Sequence, residues 1–381
     1  MPCAIDLIRK LGSQGHTVIA TDTFRATPGG HSKYAAALKI TASPRYKTRR
    51  FIQDIKQIMR DERIDLVVPA FEEVFYLAKH VDELAPIAPL FMPSFETLAT
   101  LHDKAATMRL ASKLGIRVPR TIIVTSREEL RSGAADIPEF FARPVYSRGG
   151  VELFTNTGPL AGVISLDDCV IEKEKPWLLQ EFVHGTDVCS MSIAHSGRIS
   201  GHAAYIHPRE IEHAGGIVFE SVHEPECLEI AKKIVEETRY NGHVSFDFMK
   251  TDRGMVLIEC NPRPTAGAHV MSPEIYEQAV LDWEASKLRI AEPGIRCKYS
   301  VALVRDMVLH WKEAPEDIKH LFSDAKEMIA DPEDLLPALY QILSYGHVLN
   351  YRFHLHTGAH QPNMLMAAYF HDICWNGEPI E

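Results

Sequence analysis

Two short apolar runs constrain this chain more than any other part of it. Residues 243–250 (HVSFDFMK) and 255–260 (MVLIEC) are separated by the polar turn TDRG, which makes them a hairpin of two buried strands. Each run is broken by a carboxylate, Asp247 in the first and Glu259 in the second. Burying an ionised carboxylate without a partner costs on the order of several kcal/mol, so a fold that accepts two on neighbouring strands must hold them against something positive. Asn261 and Arg263 follow at once, in the segment ECNPR.

Two carboxylates and an amide oxygen brought to one point form a hard-oxygen set. Such a set suits Mg²⁺, with Mn²⁺ as the alternative ion, bound jointly with the phosphates of a nucleotide. Arg263 could neutralise charge on a phosphoryl group in transfer. The plainer alternative leaves Glu259 and Asn261 as caps on a strand end and Arg263 as the partner of an exposed acid.

Several classes are removed by what the sequence lacks. There is no GxGxxG and no GxxxxGK[ST], and neither HExxH nor GxSxG occurs. The seven cysteines are nowhere closer than about 20 residues, which excludes CxxC metal and redox motifs and argues against a disulfide framework. Forty-one basic against 51 acidic residues give a net charge of −10, which disfavours a general nucleic-acid binder. With 46% hydrophobic and 24% charged residues the 381-residue chain reads as an ordinary globular protein of two or three domains. No apolar run approaches the ~18 residues of a membrane span and the N-terminus has no signal pattern, so a cytoplasmic protein without membrane contact is expected.

The first 95 residues alternate helix-like and strand-like segments: a helix at 4–11, a strand at 17–20, a helix at 51–60, a strand at 65–69, a helix at 72–80 and an edge strand at 89–92. This is the rhythm of a small parallel sheet, and it implies a first strand upstream of Met1. Two short helices fill 94–114. Strands at 121–124, 140–143 and 177–183 then flank a glycine-containing loop at 146–150 and a weaker helix around Leu160. A hairpin turning at Ser196-Gly197 and a helix at 225–238 precede the carboxylate hairpin. A helix at 331–344 and a closing strand with a tail from His371 are the legible parts of the C-terminal hundred residues.

Taken in order, these parts resemble the ATP-grasp superfamily over about residues 1–280. DLVVPAFEE (65–73) is similar to the end of the α/β domain that precedes the grasp, and His102-Asp103-Lys104 followed by LGIRVP is similar to a segment whose lysine contacts ATP phosphate. Phe141-Ala142-Arg143-Pro144 stands where the family has a Lys-Pro pair, so Arg143 exchanges a compact ammonium for a planar fork. Tyr146 to Gly150 occupies the place of the phosphate-covering loop, with Ser147, Gly149 and Gly150 as its contacts. Gln180-Glu181-Phe182-Val183, then Gly185 and Asp187, resemble the hinge whose backbone meets adenine and whose later acid meets ribose.

The resemblance implies an α/β and α+β architecture, an ATP-grasp fold preceded by a small Rossmann-like domain. The parts would be residues 1–95, a small lobe at 96–180, a large lobe at 181–282 and an extension at 283–381. It implies Asp247, Glu259 and Asn261 as metal ligands and Lys104, Arg143 and Arg263 against phosphate. Leu178, Phe182 and Leu257 would bury adenine, and Arg209 would hold a substrate carboxylate or the γ-phosphate unless it is a solvated loop charge. The implied activity is a ligase that uses ATP to activate a carboxylate as an acylphosphate and joins it to an amine. A nucleotide-binding regulatory protein and a biotin-carboxylase-like enzyme are the alternatives, and small-molecule acids and amines, with a homodimer, the expected partners. Glu72 and Glu73 are either ligand contacts at a strand end or the first turn of a helix. His354, His356, His360 and His371 are expected to be structural or surface residues rather than a metal site, and residues 172–175 (EKEK) a solvated turn.

Overall fold

The computed structural model describes residues 2–147, 152–211, 215–354 and 370–381. Helix α1 (Pro2–Ser13) buries Ile5 and Leu7 and leads into β1 (Val18–Asp22). A parallel partner, β2 (Ala35–Ile40), lies beside it, with Asp22 opposite Ile40. Strand β2 is absent from the sequence reading because AAALKI is composed of good helix formers; the ladder to β1 overrides that preference. Helix α2 (Thr48–Asp61) buries Phe51, Ile52, Ile55 and Met59 along one stripe.

The strands expected at 65–69 and 89–92 contract to a single parallel bridge between Val67 and Leu90. The Val67 N–H donates to the Pro89 carbonyl at 3.0 Å and the Phe91 N–H to the Val67 carbonyl at 2.8 Å. Pro69, Pro89 and Pro93 have no N–H to extend that ladder. Helices α3 (Glu73–Lys79) and α4 (Val81–Leu84) close this part.

Helix α5 (Phe95–His102) is capped by Ser94 and α6 (Lys104–Lys113) by Asp103, whose carboxylate accepts the Ala106 N–H at 2.8 Å. Gly115, with φ of 69°, terminates the second helix. Next come β3 (Thr121–Val124), α7 (Arg127–Ala135), β4 (Phe140–Pro144), β5 (Phe154–Thr155) and β6 (Trp177–Glu181). They form an antiparallel sheet in the order β3-β6-β4-β5, with α7 packing Leu130 against Leu179 and Trp177. The helix expected around Leu160 is instead a series of turns, in which Gly158 and Gly162 take positive φ.

Strands β7 (Thr186–His195) and β8 (Arg198–Ile211) turn through Ser196 and Gly197, both at positive φ (49° and 94°), as a two-residue hairpin of this hand requires. Strand β9 (Gly215–Val222), α8 (Pro225–Glu237), β10 (Gly242–Thr251) and β11 (Gly254–Asn261) follow. Asp247 and Glu259 are direct cross-strand neighbours. One face of this sheet buries Val244, Phe246, Phe248 and Leu257 under α6 and α8. The opposite face carries Asp187 and Cys189 on β7, Asp247 on β10 and Glu259 on β11. Farther along, the same face packs Met191, Ile193 and Ala203 on α1 and on α9 (Pro273–Leu281).

Strand β12 (Arg289–Ile290) pairs with β8, and β13 (Arg296–Lys298) extends the sheet beyond β9. Helices α10 (Ser300–Leu309) and α11 (Ala314–Leu321) precede β14 (Lys326–Glu327), which pairs with β13, and α12 (Leu336–His354). Among the described residues no helix is long and apolar enough to cross a membrane. The helix predicted from residue 331 starts at Leu336, after an Asp331–Asp334 bridge. The closing strand is not formed. Residues 370–373 turn, and the tail runs irregularly with Trp375 stacked on Phe75 at 4.8 Å and its carbonyl accepting from His102.

Candidate functional site

Glu259 is the centre of a network that spans both sheets. Strand β4 brings Arg143 to it, with Nη1 donating to Glu259 Oε2 at 2.7 Å. The other guanidinium nitrogen, Nη2, donates to the Ile258 carbonyl at 3.0 Å and to Gln180 Oε1 at 3.4 Å. Arg143 Nε is buried and has no hydrogen-bond partner. Lys104, at the start of α6, places Nζ 3.3 Å from Glu259 Oε1 and donates to the Ser147 carbonyl at 2.8 Å. Burial alone would raise the Glu259 carboxyl, but Lys104 and Arg143 overcome it and hold the group well below the usual carboxylate range.

Asp247 has the opposite fate. Burial, and then the neighbouring charge of Glu259, push its carboxyl above the usual carboxylate range. Asn261 donates its amide to Asp247 at 3.1 Å and accepts from Arg263 Nη2 at 3.1 Å. The Arg263 guanidinium lies over the Phe71 ring at 4.3 Å, which ties the N-terminal domain to the end of β11. Among the described residues, Asp247, Glu259 and Asn261 therefore meet Lys104, Arg143 and Arg263 on one face of the large sheet, with Asp187 and His207 beside Asp247.

The remaining expected contacts fall in different places. Asp187, at the start of β7, accepts from His207 Nδ1 at 2.7 Å. The approach of the preceding hinge to β10 requires Gly185, where a Cβ would stand 2.5 Å from the Lys250 carbonyl. In the hinge itself, Glu181 is exposed, Phe182 and Val183 are half-buried, and the Phe182 N–H is engaged by the Glu139 carbonyl at 2.9 Å. Leu178 packs on Ala105 and Val145 at the inner side of the small sheet. Leu257 is fully buried in the cluster under α6 and α8, on the face opposite Glu259; the half-buried Val256 and Ile258 flank it.

Arg209 is held away from this group by three carboxylates, Asp306 and Glu313 at 2.6 Å each and Asp317 at 2.7 Å. Glu72 is buried and accepts the Trp375 N–H at 3.0 Å, and Glu73 begins α3 with Oε1 accepting from Ala70 and Phe71. Gly149 and Gly150 lie outside the described residues, as do His356, His360 and the side chain of His354. His371 contacts the Tyr46 ring. Residues 172–175 form a turn closed by a Glu172–Lys175 bridge.

Three further side chains enter the cleft; the sequence names Gln180 only as part of the hinge segment and gives no sign of Cys189 or His207. Gln180 reaches Arg143 from β6, and Cys189 and His207 stand beside Asp187. Gln180 lies 37 residues from Arg143 and His207 20 from Asp187, so only the sheet register brings these pairs together. All seven cysteines are free and buried.

Residues 101–267 match the sequence profile of an ATP-grasp domain. The chain carries an ATP-grasp domain. The profile covers the stretch from the end of α5 to the loop after β11, and so includes Lys104, Arg143, Asp247, Glu259, Asn261 and Arg263. The arginine-specific carbamoyl phosphate synthase large chain of Bacillus subtilis is 24% identical over 237 residues, covering 58% of this chain and 22% of its own. The chain thus spans about a fifth of the length of the curated relatives it matches. Among solved structures, a carboxyaminoimidazole ribonucleotide synthase from Aspergillus clavatus, complexed with ATP, superposes with a TM-score of 0.58 at 14% identity, covering 76% of this chain and 78% of that one. A biotin carboxylase from Campylobacter jejuni gives a TM-score of 0.57 at 16% identity, with 75% and 70% covered. The fold of this chain is shared with both over about three quarters of its length.

Proposed function

We propose that this protein is an ATP-dependent ligase that activates a carboxylate as an acylphosphate and joins it to an amine, releasing ADP and phosphate. The observation that carries the reading is the arrangement of charge around Glu259. Lys104, Arg143 and Arg263 converge on Asp247, Glu259 and Asn261, and Arg143 keeps a buried donor, Nε, with no acceptor among the described residues. An anionic ligand between the two sheets would supply that acceptor. The oxygen donors Asp247, Glu259 and Asn261 fit a hard divalent cation, and when bound Mg²⁺ would neutralise phosphate charge.

The chain's own residues would do the rest. Residues 96–180 and 181–282 would close as two lobes on the nucleotide, with Glu181 and Val183 presenting backbone groups to adenine. Lys104 and Arg143 would release part of their hold on Glu259 and turn to the phosphates, an exchange that keeps every charge paired. Arg263, fixed on Phe71, would meet charge developing on the transferred group. The relatives named for synthase and carboxylase reactions support this class of chemistry.

The test is ADP release on mixing the protein with Mg-ATP and a panel of carboxylic acids and amines. Release that needs one acid and one amine together is expected. Release with bicarbonate alone as the acid would assign the protein to the carboxylating branch, and nucleotide binding with no release under any combination would leave a regulatory role.

A further inference from the structure

On the same sheet face as Glu259, Asp187, Cys189 and His207 bring one donor atom each to within 4.8 Å of one another. Asp187 and Cys189 are two residues apart on β7 and so share a face; His207 reaches them from β8. His207 Nδ1 is 2.7 Å from Asp187 Oδ2, and the Cys189 thiol is 3.9 Å from the same oxygen. Glu210 stands 3.3 Å from the same imidazole nitrogen.

The imidazole is held in place before any ligand arrives. Tyr205 and Phe219 meet it edge-on at 5.6 and 5.4 Å, and the ring fits only because residue 216 is glycine, where a Cβ would lie 2.4 Å from its Cδ2. A tetrahedral zinc ion with bonds of about 2.0–2.3 Å separates its ligand atoms by about 3.3–3.8 Å, so small side-chain adjustments suffice.

From this geometry we infer that Asp187, Cys189 and His207 form a second metal site, for a borderline-soft divalent ion such as Zn²⁺, inside the nucleotide cleft. A thiolate, an imidazole and a carboxylate select such ions, whereas the all-oxygen set at Asp247 and Glu259 selects hard ones. Binding releases two protons to solvent, one from the Cys189 thiol and one from the His207 imidazolium, and leaves a fourth position for water. Because Asp187 is also the acid assigned to ribose, the occupied site excludes nucleotide; this consequence alone rests on the proposed function.

The test uses Co²⁺ as the probe on the full chain, stripped with chelator and free of nucleotide. One equivalent is expected to give a thiolate-to-cobalt charge-transfer band. The band should vanish in Cys189→Ser, weaken at least tenfold in apparent affinity in His207→Gln, and persist in Glu259→Gln, with circular dichroism confirming that each variant is folded. No band, or a band that survives Cys189→Ser, overturns the site. A nonhydrolysable ATP analogue with Mg²⁺ should lower cobalt affinity at least tenfold; unchanged cobalt affinity in protein that calorimetry shows to bind the analogue overturns the exclusion. If the analogue does not bind at all, the nucleotide reading fails while the cobalt band stands.

Discussion

Two arginines anchored by carboxylates show how the balance of charge separates a binding site from a structural clamp. At Glu259, three cations surround two acids, and the buried Arg143 Nε lacks an acceptor. At Arg209 the ratio is inverted: Asp306, Glu313 and Asp317 converge on one guanidinium, and His310 approaches Asp306 at 2.6 Å. The first group keeps a buried donor, Arg143 Nε, open to an anion. The second is short of cations and holds β8 to α10 and α11. The sharpest way to break this contrast is to remove the acid at the first centre. Glu259→Gln should lower ADP release by about 10²- to 10³-fold, measured at saturating Mg-ATP, and release within a factor of two of the parent would place the chemistry elsewhere.

The clamp makes the opposite demand, on stability. Arg209→Met would leave Asp306 and Asp317, both almost without solvent contact, as buried charges with no guanidinium. Removing one partner of a buried ion pair costs about 3–5 kcal/mol, so urea unfolding should shift strongly to lower concentration. If the unfolding midpoint is unchanged and ADP release is lost, Arg209 belongs to the reaction and the contrast is wrong.

Arg143 tests the site from another side, with a smaller effect. Its two terminal nitrogens bind Glu259 and the Ile258 carbonyl together, a span that a lysine, with one ammonium, cannot reproduce. Arg143→Lys should therefore weaken Mg-ATP binding by about tenfold, through the loss of one or two charge-assisted hydrogen bonds. Equal affinity by calorimetry would show that the fork serves only to join the two sheets.

What the sequence could disclose follows from how local each signal is. The Ser196-Gly197 turn is legible because the residues needing positive φ sit inside the turn itself. Asp247 and Glu259 are legible because a charge inside an apolar strand is anomalous on its face. Arg209 read as a candidate for the cleft because its three acids lie about a hundred residues downstream, in a region with no strong pattern. Cys189 and His207 each look like ordinary core residues until β7 and β8 pair. Leu257 carries the right residue type but falls on the α6 side of the sheet, because the register slips between Asp247 and Phe248. Position on a face is decided by that irregularity, which one apolar run does not reveal.

The smallest expected effect concerns pH and separates the neutral histidines of the large sheet from the charged one at its cleft. Burial pushes His202 and His243 down to about 3; Ser192 and Tyr276 bond them. A histidine depressed in the folded state contributes its stability above the unfolded value of about 6.5, and that contribution is lost as pH falls towards 3. For His207 the sign is reversed. Burial alone would lower it, yet Asp187 and Glu210 push it up to about 9, so its contribution is complete below about 6.5 and is lost as pH rises through 9. In chelator, His243→Gln should flatten the acid limb of a plot of unfolding midpoint against pH, and His207→Gln the alkaline limb. If both variants change the same limb, the charge states assigned to the core and to the cleft are incorrect.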